Sequence, residues 1–253
     1  SELRNKHLRS GESAKVLKER KAIMKVELYA KSLTKLKTQA LIVTIPEGKN
    51  EQLPKELAGL IPKAAHQSFT GKLDQVLTVF PATGSIDRIV LVGLGDGKGT
   101  RSAAELFRRA IALGVKQLAA KEIDSIAVYL GGLFEPRYIG DAVLIALIAP
   151  YKYGAHKSTK EDSPADFNSL TLVAPEATLS PVVQRSFQKA TAIGSAVNQA
   201  RDLVNAPSNF MTPMKLATEA RRIASQLSTV TATVWGEAEL RKRHFGALLA
   251  VSR

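Results

Sequence analysis

The sequence contains no cysteine among its 253 residues, a single tryptophan and three methionines. Without cysteine there is no disulfide framework, no thiolate zinc site and no catalytic thiol, and a reducing cytoplasm is the compartment that fits best. Long apolar runs are also missing. The best, Ala142 to Pro150 (AVLIALIAP), is about half of the ~20 residues a membrane-spanning helix needs, so the reading is a protein with no membrane partner. The first twenty residues are charged throughout and offer no apolar segment of the secretory kind. Internal repeats are absent as well.

What the sequence does have is enough apolar material, 45% of residues, to fill the core of one large or two modest domains. It also carries a formal charge of +13, which raises the question of a nucleic-acid partner. Part of that charge is local. Residues 1–23 hold Arg4, Lys6, Arg9, Lys15, Lys18, Arg20 and Lys21 against Glu2, Glu12 and Glu19. This stretch reads as a basic leader, disordered or non-native, with Met24 as the expected natural start.

From Met24 strands and helices alternate. Strands are expected at Val26–Ala30, Ala40–Ile45, Leu73–Phe80, Ile86–Leu94, Ile123–Leu130 and Leu170–Ala174, from period-two or continuous β-branched runs that stop at Gly or Pro. Weak helical pattern covers Leu53 to Ala65. Ser102 and Glu105 form an S-x-x-E capping box that opens a helix over Ala103–Ala120. A second helix is expected over Arg137–Ile148, and the polar stretch Tyr151–Ser169 reads as a loop. Strand, glycine turn, helix and strand make a βαβ unit with parallel strands. Ser180 and Pro181 open a long helix that has to stop before Pro207, and Thr212 and Pro213 open the next one. Val230–Trp235 and Gly246–Val251 read as further strands, with a short helix at Glu237–His244 between them.

Few residues have the spacing that chemistry requires. The loop Gly93-Leu94-Gly95-Asp96-Gly97-Lys98-Gly99 follows a strand, but G-x-G-x-x-G fails at Lys98 or Thr100, depending on the starting glycine. The P-loop pattern fails at Val92 and Gly99, and the loop reads as a plain tight turn. His7, His66, His156 and His244 are dispersed, with no H-E-x-x-H and no H-x-E. Glu161, Asp162, Glu237 and Glu239 lie in polar stretches that face solvent, and Arg241-Lys242-Arg243 reads equally as a solvated helix end or a phosphate site. Asn205, Pro207 and Asn209 fix a sharp helix exit, and Arg201 and Asp202 are free to pair with neighbouring helices.

Two motifs in order carry a resemblance. ARDLVNAPSNFMTP (residues 200–213), with HFGALLAVSR after it, resembles the opening of the catalytic domain of the leucyl (cytosol) aminopeptidase family, whose members carry R-D-L-x-N-x-P-x-N and a G-A-L-L-A-V strand. Upstream, RIVLVGLGDG and YIGDAVLIALIAPYKYGAHKST look like the family's N-terminal domain.

The resemblance implies a three-layer α/β N-terminal domain with a mixed, largely parallel sheet at 24–178. A linker helix and the first βαβ part of a second α/β domain would occupy 179–253. It also implies a cytoplasmic homohexamer that removes N-terminal residues from peptides with two divalent ions, manganese or zinc. The family's metal ligands and catalytic lysine lie in segments resembling D-S-G-G and N-T-D-A-E-G-R, and neither segment occurs here. The expectation is therefore a partial chain, inactive alone, with no catalytic, cofactor-binding or metal residue of its own. Some bacterial members of the family also bind DNA. The alternative reading is accordingly a basic N-domain that acts in DNA binding or oligomer assembly without catalysis.

Overall fold

A computed structural model describes residues 24–49, 53, 55–119, 123–131, 136–154, 167–174 and 180–251. It divides into two compact units, Ser1–Asp202 and Leu203–Arg253.

In the first unit the strands are β1 (Lys25–Tyr29), β2 (Thr38–Ile45), β3 (Val76–Val79), β4 (Ile86–Gly93), β5 (Ser125–Tyr129) and β6 (Ser169–Val173). They form one sheet in the order β1-β6-β5-β2-β4-β3. Every pairing is parallel except that of β3 with β4, so the sheet is mixed and largely parallel as expected. The βαβ reading also holds in direction: β4 and β5 both run parallel to β2, which lies between them.

The helices are α1 (Lys55–Ala58), α2 (Lys63–Ser68), α3 (Ala103–Leu118), α4 (Pro136–Ile148) and α5 (Pro181–Asn205). Parity along each strand sorts the side chains into two layers, because successive residues point to opposite faces. Ala40, Ile42, Val90, Val92, Ile126, Val128, Leu170 and Leu172 face α3, α4 and α5 in one core. Leu41, Val43, Ile45, Ile89, Leu91, Ala127, Tyr129 and Val173 face α1, α2, Leu33 and Phe69 in the other. Covered on both sides, the central strands need apolar residues at every position, which is why ALIVTI and IVLVG read as continuous runs.

α3 starts where the capping box places it, with Ser102 Oγ accepting from the Glu105 amide at 3.2 Å. The Glu105 carboxylate pairs with Arg101 at 3.3 Å. The weak pattern at Leu53–Ala65 resolves into the two short helices α1 and α2. Residues 1–23 lie outside the described residues, as do 155–166 of the expected polar loop. No helix among the described residues is long and apolar enough to cross a membrane.

The second unit holds α6 (Pro213–Gln226), α7 (Glu237–Lys242) and α8 (Gly246–Val251), and α5 runs three residues into it. Thr212 caps α6 by accepting from the Lys215 amide at 3.3 Å. The two strands expected here do not form. Val230–Trp235 carries neither helix nor ladder, and Gly246–Val251 is the helix α8. A short apolar run is ambiguous in period, and Ala and Leu are strong helix formers. A strand also needs a neighbour for its backbone groups, and no ladder forms among the described residues of this unit. The one buried residue among those described is Glu219, while Val204, Met214, Leu216, Leu248 and Val251 are all more than half exposed.

Candidate functional site

Ligands of open parallel sheets gather at the carboxyl ends of the strands, where the glycine loop lies. Three chain segments meet there. The Gly93 amide donates to Gln75 O at 2.8 Å, the Leu94 amide to Ile45 O at 2.9 Å, and the Gly95 amide to Gly71 O at 2.9 Å. In return Gly95 O accepts from the Glu47 amide at 3.0 Å. Gln75 holds the middle segment in place: its Oε1 accepts from the Thr70 and Gly71 amides, and its Nε2 donates to Ser68 O.

The amides of Gly93, Leu94 and Gly95 are thus occupied by protein carbonyls. Further along, the Lys98 amide donates to Asp96 Oδ1 at 3.0 Å, placing a carboxylate where an anion would sit. The adjoining depression, lined by Leu73, Leu94, Asp96 and Thr100 among others, holds only about 60 Å³. Beside it Asp74, in the left-handed region at φ 63°, receives two hydrogen bonds from Arg109, at 2.6 and 2.5 Å. Arg109 holds the Asp74 carboxyl below its usual range. The loop is a structural junction, in keeping with its reading as a tight turn.

The segment ARDLVNAPSNFMTP begins inside α5. Arg201 Nη1 donates to Ile148 O at 2.9 Å, and its guanidinium lies 5.3 Å from the centre of the Tyr151 ring. The Tyr151 hydroxyl donates to Asp202 Oδ1 at 2.9 Å. Burial, and after it the charge of Asp202, pushes the Tyr153 hydroxyl up. Three residues before Arg201, Asn198 Nδ2 donates to Leu147 O at 2.9 Å. The helix ends at Asn205, and the amides of Phe210 and Met211 both turn back to Pro207 O at 2.9 Å. Arg201 and Asp202 are therefore engaged with the end of α4, as a pairing role requires. Nothing in the sequence marked Asn198, because its acceptor is a backbone carbonyl fifty-one positions away.

The remaining candidates stay dispersed. His66 Nε2 sits 3.4 Å from Ala58 O, and His244 follows α7 in the left-handed region. His7, His156, Glu161 and Asp162 lie outside the described residues. In the cluster Arg241-Lys242-Arg243, Arg241 pairs with Glu237 and Arg243 with Glu239, each one helical turn back. Arg243 also stands over Trp235 at 4.2 Å. This is the solvated helix end, with its charges largely matched. Among the described residues no three of His, Cys, Asp and Glu converge as a metal site would require, so the described residues alone do not fit a pair of divalent ions.

Comparison with known proteins gives two matches in chain order. Residues 43–160 match the N-terminal domain of the cytosol aminopeptidase family, and residues 198–253 match the catalytic domain of the same family. This chain belongs to the cytosol aminopeptidase family. Relatives include probable cytosol aminopeptidases of Nitrosococcus oceani, 32% identical over 87% of this chain, and of Roseiflexus castenholzii, 31% identical over 91%. In each case the chain spans 46% of the relative's length, and so about half of these cytosol aminopeptidases. Among solved structures, a mutant of tomato leucine aminopeptidase superposes with a TM-score of 0.67 at 19% identity, over 88% of this chain and 46% of that one. The bottromycin maturation enzyme BotP in complex with Mn gives 0.55 at 21%, over 75% and 36%. Both support the fold. The catalytic-domain match opens at Asn198, so ARDLVNAPSNFMTP lies at the start of the family's catalytic part.

Proposed function

We propose that the chain supplies the N-terminal domain, at 24–178, and at 179–253 the linker helix and opening part of the catalytic domain of a leucyl aminopeptidase. On this reading the complete enzyme removes N-terminal residues from peptides with two divalent ions, manganese or zinc, and works as a cytoplasmic homohexamer. The 253-residue chain is inactive by itself. The observation that carries the reading is the pair of family matches in order, the second reaching the last residue. Inactivity alone is supported by a donor set that does not fit the metals among the described residues. The alternative of DNA binding has less behind it, and Arg101, Arg108, Arg109, Arg222, Arg241 and Arg243 each have a carboxylate partner, in Glu105, Asp141, Asp74, Glu219, Glu237 and Glu239.

The test is hydrolysis of a leucine anilide with manganese or zinc supplied. The purified 253-residue chain is expected to show no turnover. The same chain fused to the remaining catalytic region of the Nitrosococcus oceani relative is expected to hydrolyse the substrate in a metal-dependent way. Turnover by the short chain would overturn the claim of inactivity, and a folded but inert fusion would overturn the peptidase reading.

A further inference from the structure

An α-helix ends with four carbonyls that its own amides do not reach, and they carry the negative end of the helix dipole. α4 has no basic residue in its last turn to meet them, and Pro150 follows closely. Ile145 O is met locally by the Ala149 amide. The last two carbonyls, Leu147 O and Ile148 O, receive Asn198 Nδ2 and Arg201 Nη1 from α5.

We propose that Asn198 and Arg201 form a C-cap for α4 supplied by another helix, and that Asp202 and Tyr151 lock it. The Arg-Asp pair of ARDLVNAP is thus an anchoring device, which ties α5 at residues 198–202 to the end of α4 within the first unit. Four observations converge on it. Asn198 is oriented by this bond, since pointing the NH₂ at Leu147 O leaves its buried Oδ1 without a partner among the described residues. That arrangement carries a cost, and the carbonyl it serves has to offset it. Tyr151, just past the end of α4, is held by its face under Arg201 and by its hydroxyl on Asp202, so the cap reaches into the segment leaving α4. Gly194, one turn before Asn198, lets the helices close up: a β-carbon there would stand 2.7 Å from Leu147 Cδ1. Finally, the first unit ends at Asp202, the residue that locks the cap through Tyr151. The inference concerns stability within the first unit and is independent of the peptidase reading.

Hydrogen exchange followed by mass spectrometry tests it on the full 253-residue chain and the variants Arg201→Ala, Arg201→Lys and Asp202→Asn. A hydrogen bond from a charged group contributes enough that its loss should speed local opening by about tenfold or more. R201A is expected to raise exchange by that factor in peptides covering 144–154 and 195–205, while peptides from β2, β4 and β5 keep the parent rates. R201K, which restores the charge but not the planar fork, is expected to recover part of the protection in both places. D202N keeps an acceptor for Tyr151 and should stay within a few-fold of the parent. Parent-like exchange at 144–154 in R201A would overturn the proposal. So would an equal rise across the central strands, because Arg201 would then support the fold in general and not the end of α4.

Discussion

Gly93 and Lys72 approach so closely that a β-carbon on Gly93 would stand 1.9 Å from the Lys72 carbonyl oxygen. The obstacle is backbone, which has no rotamer to change. The glycine at the end of β4 is thus required by its neighbour across the strand junction. Gly97 and Gly99 have nothing within 4 Å, and of these two Gly97 has a positive φ, at 71°.

The three glycines should therefore respond differently to alanine. G93A should lose about 3 kcal/mol or more, at or beyond the upper end of overpacking. G97A should lose about 1 kcal/mol, from placing a side chain in the left-handed region, and G99A should fall within about 0.5 kcal/mol of the parent. Urea denaturation measures all three. A flat series would show that the approach of Lys72 does not constrain Gly93.

The ion pair of Asp74 with Arg109 gives a pH dependence of known sign. Arg109 lowers the Asp74 pKa in the folded state below its ordinary 3.8, so the unfolded chain binds the proton more readily. The resulting stability is complete above that ordinary value and is lost as pH falls through the folded one. D74N keeps a residue that tolerates the left-handed conformation and removes the charge. Its melting temperature should lie below the parent's at pH 6, with the gap closing as pH falls below 3.8. Added salt should narrow the gap at pH 6 too, since Arg109 is exposed to solvent. A gap independent of pH would show that the charge is not what matters.

Leu147 and Gly194 should be energetically coupled. G194A pushes a methyl group to within 2.7 Å of Leu147 Cδ1, a cost of about 1–3 kcal/mol. L147A opens a cavity for about 2–5 kcal/mol. In the double variant the new methyl enters the vacated space, so the combined loss should be smaller than the sum by at least about 0.5 kcal/mol. Strict additivity in chemical denaturation would rule out a direct contact.

Ser102 supplies one side-chain acceptor at the start of α3, and S102A should lose about 1 kcal/mol. S102D, which also caps, should stay close to the parent. Equal losses in both would show that the cap is not the source of the effect.

Much of this was legible in local pattern. Ser102 with Glu105 located the start of α3, and Ser180-Pro181 and Pro207 bracketed α5 at its observed ends. Continuous apolar runs gave β2 and β4 as buried strands. Contacts between distant segments were not legible. No local rule puts Gly71 against Gly93, or Asn198 on the carbonyl of Leu147, because the acceptor is a backbone group that any residue would present. GALLAV failed for a different reason: six small and branched apolar residues fit either period, and the answer depends on what lies beside them. At the candidate site, the glycine spacing departs from G-x-G-x-x-G at Lys98 or Thr100, which is why the loop reads as a tight turn. The work the glycines do became visible only with the Gln75 loop in place.

The lack of any buried apolar side chain among the described residues from Leu203 onward also has a calorimetric consequence. The heat-capacity step on unfolding comes from apolar surface newly exposed to water, and the described apolar side chains of that unit are at most partly covered. The heat-capacity step of this chain, and the curvature of its stability with temperature, therefore come mainly from the sheet and its two helical layers, with a smaller share from α6, α7 and α8.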